Sequence, residues 1–90
     1  MKILIETSIY RDLKKINNMT VNAEVNKVFF TVKEAVKPKD IPELRKLEGY
    51  KKDIYYRIKI KRYRIGVTIE ADLVTFARCM LRKDFYKFFP

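Results

Sequence analysis

The stretch Ile54-Tyr55-Tyr56-Arg57-Ile58-Lys59-Ile60-Lys61-Arg62-Tyr63-Arg64-Ile65-Gly66-Val67-Thr68-Ile69-Glu70 decides the fold. Apolar and polar side chains alternate along it, which is the period of a strand and not of a helix. Ile54, Tyr56, Ile58 and Ile60 point to one face, and Tyr55, Arg57, Lys59 and Lys61 to the other. Beyond Lys61 the pattern resumes, with Tyr63, Ile65, Val67 and Ile69 inward and Arg62, Arg64, Gly66, Thr68 and Glu70 outward. Two such runs joined by a short turn predict an antiparallel pair, although the Lys61–Arg62 junction lacks the Gly or Asp that usually builds a hairpin.

Downstream, Glu70-Ala71-Asp72 reads as a turn and Leu73 to Met80 as a third strand. Alternation puts Val74, Phe76 and Met80 on one face and Leu73, Ala77 and Cys79 on the other, so both faces are apolar and the strand should be central and covered twice. The tail from Arg82 to Pro90 is short, basic and aromatic. Upstream, Lys39 to Gly49 reads as a connector with a turn of helix after Pro42. Before it, Val21, Val25, Val28, Phe29, Val32 and Val36 form a single helical stripe, which predicts a long helix from about Val21 to Val36, ended by Pro38. Ile9, Leu13 and Ile16 mark a shorter helix capped by Ser8, with Asp12 near its positive end and Asn17-Asn18 breaking it. Met1 to Thr7, with Ile3 and Ile5 alternating against Lys2 and Leu4, reads as a first strand.

The order strand, helix, helix, three strands predicts an α+β domain. Two N-terminal helices pack on one face of a small, mainly antiparallel, four-stranded sheet. Ninety residues hold one core, so residues 1–90 form a single domain. With 48% apolar residues, two Gly and three Pro, the chain is no disordered tail or linker. No run of roughly 18 apolar residues occurs, so no membrane span is expected. Glu6 interrupts what would be the apolar segment of a secretion signal, and the single Cys79 has no intrachain disulfide partner, so the expected compartment is the reducing cytoplasm. Histidine is absent, which rules out Cys/His zinc sites, Ser-His-Asp and Cys-His catalysis. No metal or other cofactor is expected.

Charge points to the partner. Twenty-one Lys and Arg face eleven Asp and Glu, a net charge of +10. Residues 1–44 carry eight basic and six acidic side chains, whereas residues 45–90 carry thirteen and five, so the surplus lies in the half that holds the strands. A polyanion is the expected partner. Arg57 and Lys59 share a face two residues apart, Arg64 lies on that face of the neighbouring strand, and Arg78 and Arg82 approach from the last strand and its exit. Lys61, Arg62, Lys83 and Lys87 extend the surface. Arg forks and Lys point charges on one rigid sheet suit phosphate groups, and Tyr55, Phe85 and Tyr86 offer rings for base stacking. A half-buried sheet also shows an ordinary polar face to water, so charge alone leaves a solvated face and an RNA- or DNA-binding face both open. The inward Tyr56 and Tyr63 read as core, as does Cys79, which packs as a small hydrophobe.

At these residues the sequence resembles the RelE/ParE superfamily of toxins from type II toxin–antitoxin systems. Leu47-Glu48-Gly49-Tyr50 followed by Ile54-Tyr55-Tyr56-Arg57-Ile58 resembles the family's L-x-G-x…Y-R-I-R strand. Tyr63-Arg64-Ile65-Gly66 resembles its Y-R-I/L strand, and Arg82-Lys83-Asp84-Phe85-Tyr86 its terminal H-R-K-D-x-Y. The resemblance implies a ribosome-dependent messenger-RNA endoribonuclease that attacks a phosphate with the adjacent ribose 2′-hydroxyl and inhibits translation. By motif position, Arg57 and Lys59 match phosphate-binding residues. Arg64 matches the arginine assigned to transition-state charge, Arg82 a leaving-group donor or second clamp, and Tyr86 the candidate base. Leu81 stands where many relatives carry His, so any chemistry here runs without imidazole. The implied partners are a cognate antitoxin, the ribosome and messenger RNA. The implied state is a monomer when free and a hetero-oligomer with the antitoxin. Two alternatives accompany this reading: a DNA gyrase inhibitor of the ParE branch, whose tail is less basic, and a non-catalytic basic nucleic-acid-binding module.

Overall fold

A computed structural model describes all residues, Met1–Pro90. In chain order the elements are β1 (Lys2–Ile5), α1 (Thr7–Ile16), α2 (Met19–Glu34), a short 3-10 turn (Pro38–Asp40), β2 (Leu44–Lys46), β3 (Tyr55–Ile60), β4 (Tyr63–Glu70), β5 (Leu73–Leu81) and α3 (Arg82–Phe88). The strands form one five-stranded sheet in the order β1-β5-β4-β3-β2. The central meander is antiparallel, with Lys59 opposite Arg64 and Ile58 opposite Ile65, while β1 pairs in parallel with β5. No helix is long and apolar enough to cross a membrane.

The alternation of 54–70 holds in space. Ile58, Ile60, Ile65, Val67 and Ile69 enter one core with Val74, Phe76 and Cys79, and Tyr56 and Tyr63 pack against it. The two N-terminal helices close this core with Ile9, Leu13, Val21, Val25, Phe29 and Val32. Asn17 ends α1 in the left-handed region and the Asn18 side chain accepts the Val21 N–H, so the Asn pair both stops one helix and caps the next. Lys61, without glycine, adopts a φ of 51° to make the two-residue turn between β3 and β4.

Five expectations are corrected. The sheet has five strands and not four, because Leu44–Lys46 adds an edge strand against β3 where a helical turn was expected; the 3-10 turn lies before Pro42. Three residues are too short to display a period, so only the pairing reveals them. The tail is a third helix, packed on the face of the sheet opposite α1 and α2. In β5 the register slips between Gly66 and Val67, so Ala77 is an extra residue. That bulge reverses the alternation and puts Cys79 on the same buried face as Phe76, leaving Met80 half-buried. Helix α2 ends at Glu34, and Val36 is exposed beyond it. Ser8 does not cap α1; its hydroxyl donates to the Ala77 carbonyl at 2.6 Å.

Candidate functional site

The helix α3 is what turns the outward face of the sheet into a site. Phe85 and Phe89, four residues apart, lie on its sheet-facing side and are both buried, with ring centroids 5.3 Å apart. The Phe89 ring lies directly over Gly66, where an added Cβ would come within 2.6 Å of it. Gly66 is therefore needed for close approach and not for backbone freedom. The Arg82 N–H donates to the Arg62 carbonyl at 3.0 Å, tying the start of α3 to the β3–β4 turn. Arg82 and Tyr86 are also four residues apart, so they share the helix face next to the anchored one.

That face and the hairpin enclose an open groove of ≈ 930 Å³. Lys59, Lys61, Arg62 and Arg64 line it from the hairpin, and Leu81, Arg82, Lys83 and Tyr86 from the β5–α3 junction. Six of these eight side chains are cations, and none is a carboxylate. Lys59 and Arg64 stand directly opposite across the ladder, where like charges repel. Arg64 is only 8% exposed, yet no acid pairs with it; its Nη1 donates to the carbonyls of Lys61 at 3.1 Å and Tyr63 at 3.0 Å. A guanidinium fixed by main-chain carbonyls keeps its remaining donors for a ligand, and six converging cations raise the local potential for a phosphate. Tyr86 is half exposed beside them.

The groove brings together Lys59, Arg64, Arg82 and Tyr86 of the proposed catalytic set and Lys61, Arg62 and Lys83 of the proposed RNA-binding set. Arg57, Arg78 and Lys87 do not line it. Arg57 shares the face of Lys59 on β3, about 7 Å away by strand geometry, and its Nη1 is held by the Glu43 carbonyl at 3.0 Å. Arg78 is turned away to Asp12, with Nε–Oδ2 at 2.8 Å and Nη2–Oδ1 at 3.1 Å. Asp12 thus serves as a buried partner for the edge of β5, where its Oδ2 also accepts the Cys79 N–H at 2.9 Å, and not as a charge for the helix dipole. The hydrogen bonds that Arg78 donates to Asp12 push its pKa up, and burial together with the nearby carboxylate pushes the Cys79 thiol up to about 12. Phe85 is fully buried and unavailable for base stacking, and Tyr55 packs edge-to-face against Tyr50 and Phe89. Arg45, which the connector reading passed over, lies opposite Arg57 in the ladder and widens the cationic surface.

No family model matches the chain. It is 29% identical to Toxin RelE3 of Methanocaldococcus jannaschii across the full length of both proteins. Its fold superposes on a chain of the RelB–RelE antitoxin–toxin complex from Methanococcus jannaschii with a TM-score of 0.76, at 26% identity and covering 97% of this chain and 99% of that one. The YoeB dimer from Staphylococcus aureus gives 0.69 at 16% identity, covering 91% and 97%, which shows the shared fold alone. A conserved hypothetical protein from Helicobacter pylori gives 0.56 at 18%, covering 92% and 96%. The full-length likeness in sequence and in fold makes the chain similar to RelE-like toxins.

Proposed function

We propose that this chain is the toxin of a type II toxin–antitoxin pair and cleaves messenger RNA on the ribosome. The observation that supports it most is the acid-free groove, in which six cations converge beside one tyrosine and Arg64 is buried without a counter-ion. Such a site costs stability unless an anion fills it. In the proposed reaction the ribose 2′-hydroxyl attacks the adjacent phosphorus, the bond to the 5′-oxygen breaks, and a cyclic phosphate remains. Lys59 and Arg64 hold the non-bridging oxygens, whose charge grows in the transition state. The phenolate form of Tyr86 takes the hydroxyl proton, and the leaving 5′-oxygen takes a proton from water while Arg82 hydrogen-bonds it or serves as a second clamp. Lys61, Arg62 and Lys83 bind flanking phosphates. Arg57 and Lys87 extend the same polarity outside the groove, and Arg78 contributes through the residues it holds. The partners under this reading are an antitoxin, a ribosome and its message. Induced expression tests it: translation stops, ribosome-bound messages shorten and DNA supercoiling is unchanged. DNA breaks with intact messages would instead assign a gyrase poison, and harmless expression would leave a basic binding module.

A further inference from the structure

Beyond the groove, the outward face of β2 and β3 carries a second arrangement of cations and rings. Arg45 and Arg57 stand opposite each other across the ladder, where like charges repel, and neither has an acidic partner. Glu43 takes a φ of 62°, and its carbonyl accepts both the Lys59 N–H at 3.3 Å and the Arg57 Nη1 at 3.0 Å. Arg57 is thereby fixed with its other donors free. The loop between the two strands is drawn tight by the Leu47 N–H, which donates to the Tyr55 carbonyl at 2.8 Å. Within it Gly49, at a φ of 88°, turns the chain back so that the Tyr50 ring meets Tyr55, with centroids 5.6 Å apart. Tyr55 in turn packs against Phe89 at 6.0 Å between centroids, and Phe89 against Phe85 at 5.3 Å. A row of rings thus runs from the buried foot of α3 out to Tyr50, which is 45% exposed. Lys51 and Lys52 follow that ring directly and are exposed. Asp53 is taken up by Lys46 at 2.7 Å, which leaves Glu48 as the one unpaired acid of the loop.

We infer that this end of the sheet is a subsite for an unpaired nucleotide beyond those in the groove, with Tyr50 as the stacking ring and Arg45 and Arg57 as phosphate clamps. The inference rests on the nuclease reading above and extends its substrate. The RNA continues past the cut as a single strand, over β3 toward β2. Outward side chains on one strand repeat about every 7 Å, so Lys59, Arg57 and Tyr55 form one track of about 13 Å out of the groove. Cations along such a track follow a sugar–phosphate backbone while the ring at its end meets a base. The aliphatic side chains of β2 and β3 all pack into the core, so the outward face gives a protein segment no aliphatic surface to bury. A duplex does not fit either, because stacking on Tyr50 needs a base without a partner. Stacking accepts every base, so the subsite adds affinity and holds the strand in line without reading its sequence.

The test uses the full chain and a fluorescein-labelled 2′-O-methyl hexa-adenylate, whose blocked 2′-oxygens cannot attack. By fluorescence anisotropy, Tyr50→Ala should weaken binding about fivefold or more, and Tyr50→Phe, which keeps the ring, should bind like the parent. Arg45→Ala should weaken binding and lower the slope of log affinity against log salt by about 0.7, the value for one phosphate contact on a single strand. Lys14→Ala with Lys15→Ala on α1 should leave both near the parent values. Circular dichroism checks that each variant is folded. Hexamers with one abasic position each then locate the contact. At one position the missing base should cost affinity with the parent and none with Tyr50→Ala. Parent-like binding by Tyr50→Ala, no abasic position coupled to it, equal losses from Arg45→Ala and the α1 pair, or no binding by the parent would each overturn the subsite. Cleavage of ribosome-bound message by the parent is measured separately. Cleavage without a coupled position would strike the subsite and leave the nuclease reading standing, and a coupled position without cleavage would do the reverse.

Discussion

Replacing Arg64 with Ala separates the proposed chemistry from the fold. Arg64 looks exposed by alternation, so its loss would be expected to leave stability unchanged, but in the structure it is 92% buried under the β5–α3 junction. Two hydrogen bonds from Nη1 to the carbonyls of Lys61 and Tyr63 disappear with it. Bonds to a charged donor contribute about 1.5–3 kcal/mol each. Against that, the opposed Lys59 is relieved of a like charge, about 0.2–1 kcal/mol. A buried cation without an acid also regains its hydration cost in the variant. The two bonds lost, about 3–6 kcal/mol together, exceed the relieved repulsion, and release of a desolvation cost of several kcal/mol takes back most of the difference; the net is a loss of about 1–2 kcal/mol, or a fall in Tm of roughly 5–15 °C for a domain of this size. Cleavage should fall much further, by about 10²–10³, because a guanidinium aimed at developing phosphate charge is worth about 2–4 kcal/mol in the transition state. The assay is single-turnover cleavage of ribosome-bound message at a temperature where circular dichroism shows the variant folded. Loss in kcat with KM retained marks a transition-state contact. A cleavage rate within a few-fold of the parent would remove Arg64 from the mechanism. A rate that simply tracks the unfolded fraction would reduce it to a structural residue.

Tyr86→Phe keeps the ring and removes the hydroxyl, so proton transfer predicts a cleavage loss of about 10²–10⁴ with Tm unchanged; full activity would exclude it as base. Asp12→Ala leaves the Cys79 N–H and the Arg78 guanidinium without their acceptor and should cost about 3 kcal/mol in urea unfolding, whereas Asp12→Asn should recover part of that loss. Gly66→Ala should destabilise by about 1–3 kcal/mol through the Phe89 ring, and combining it with Phe89→Ala should cost less than the sum of the two singles in a double-mutant cycle. Cys79 should resist thiol reagents in the folded state. Its folded pKa is raised from 9.0 to about 12, so its contribution is fully present below pH 9 and is lost as the unfolded thiol ionises between pH 9 and about 12; a flat stability profile over that range would refute its burial.

Much of the sheet was legible because alternation is a local property of the chain. Ile58, Ile60, Ile65, Val67 and Ile69 had to face one way once 54–70 was a pair of strands, and the valine stripe of α2 could only serve as a core face. The cationic residues of the hairpin followed from the same parity, since Lys59 and Arg64 are whatever Ile58 and Ile65 are not. The spacing of Arg82 and Tyr86, and of Phe85 and Phe89, was also present as pairs four apart, although seven residues give too short a helical signal to be read as one.

What the sequence by itself determined is the set of elements with a period long enough to show, the face each one buries, and the excess of cations on the strand half. Tertiary structure alone decided the rest. The three-residue β2 exists only because β3 offers it a ladder, and the bulge at Ala77 appears only when β5 must match β4 and receive α1 at once. Arg78 and Asp12, 66 residues apart, became partners because the open edge of β5 beyond β1 needed an acceptor that α1 could supply. The groove itself depends on Phe89 finding the one position on β4 without a side chain. None of these is a property of a segment. Each arises where two distant segments meet, and a linear pattern records only what neighbouring residues do together.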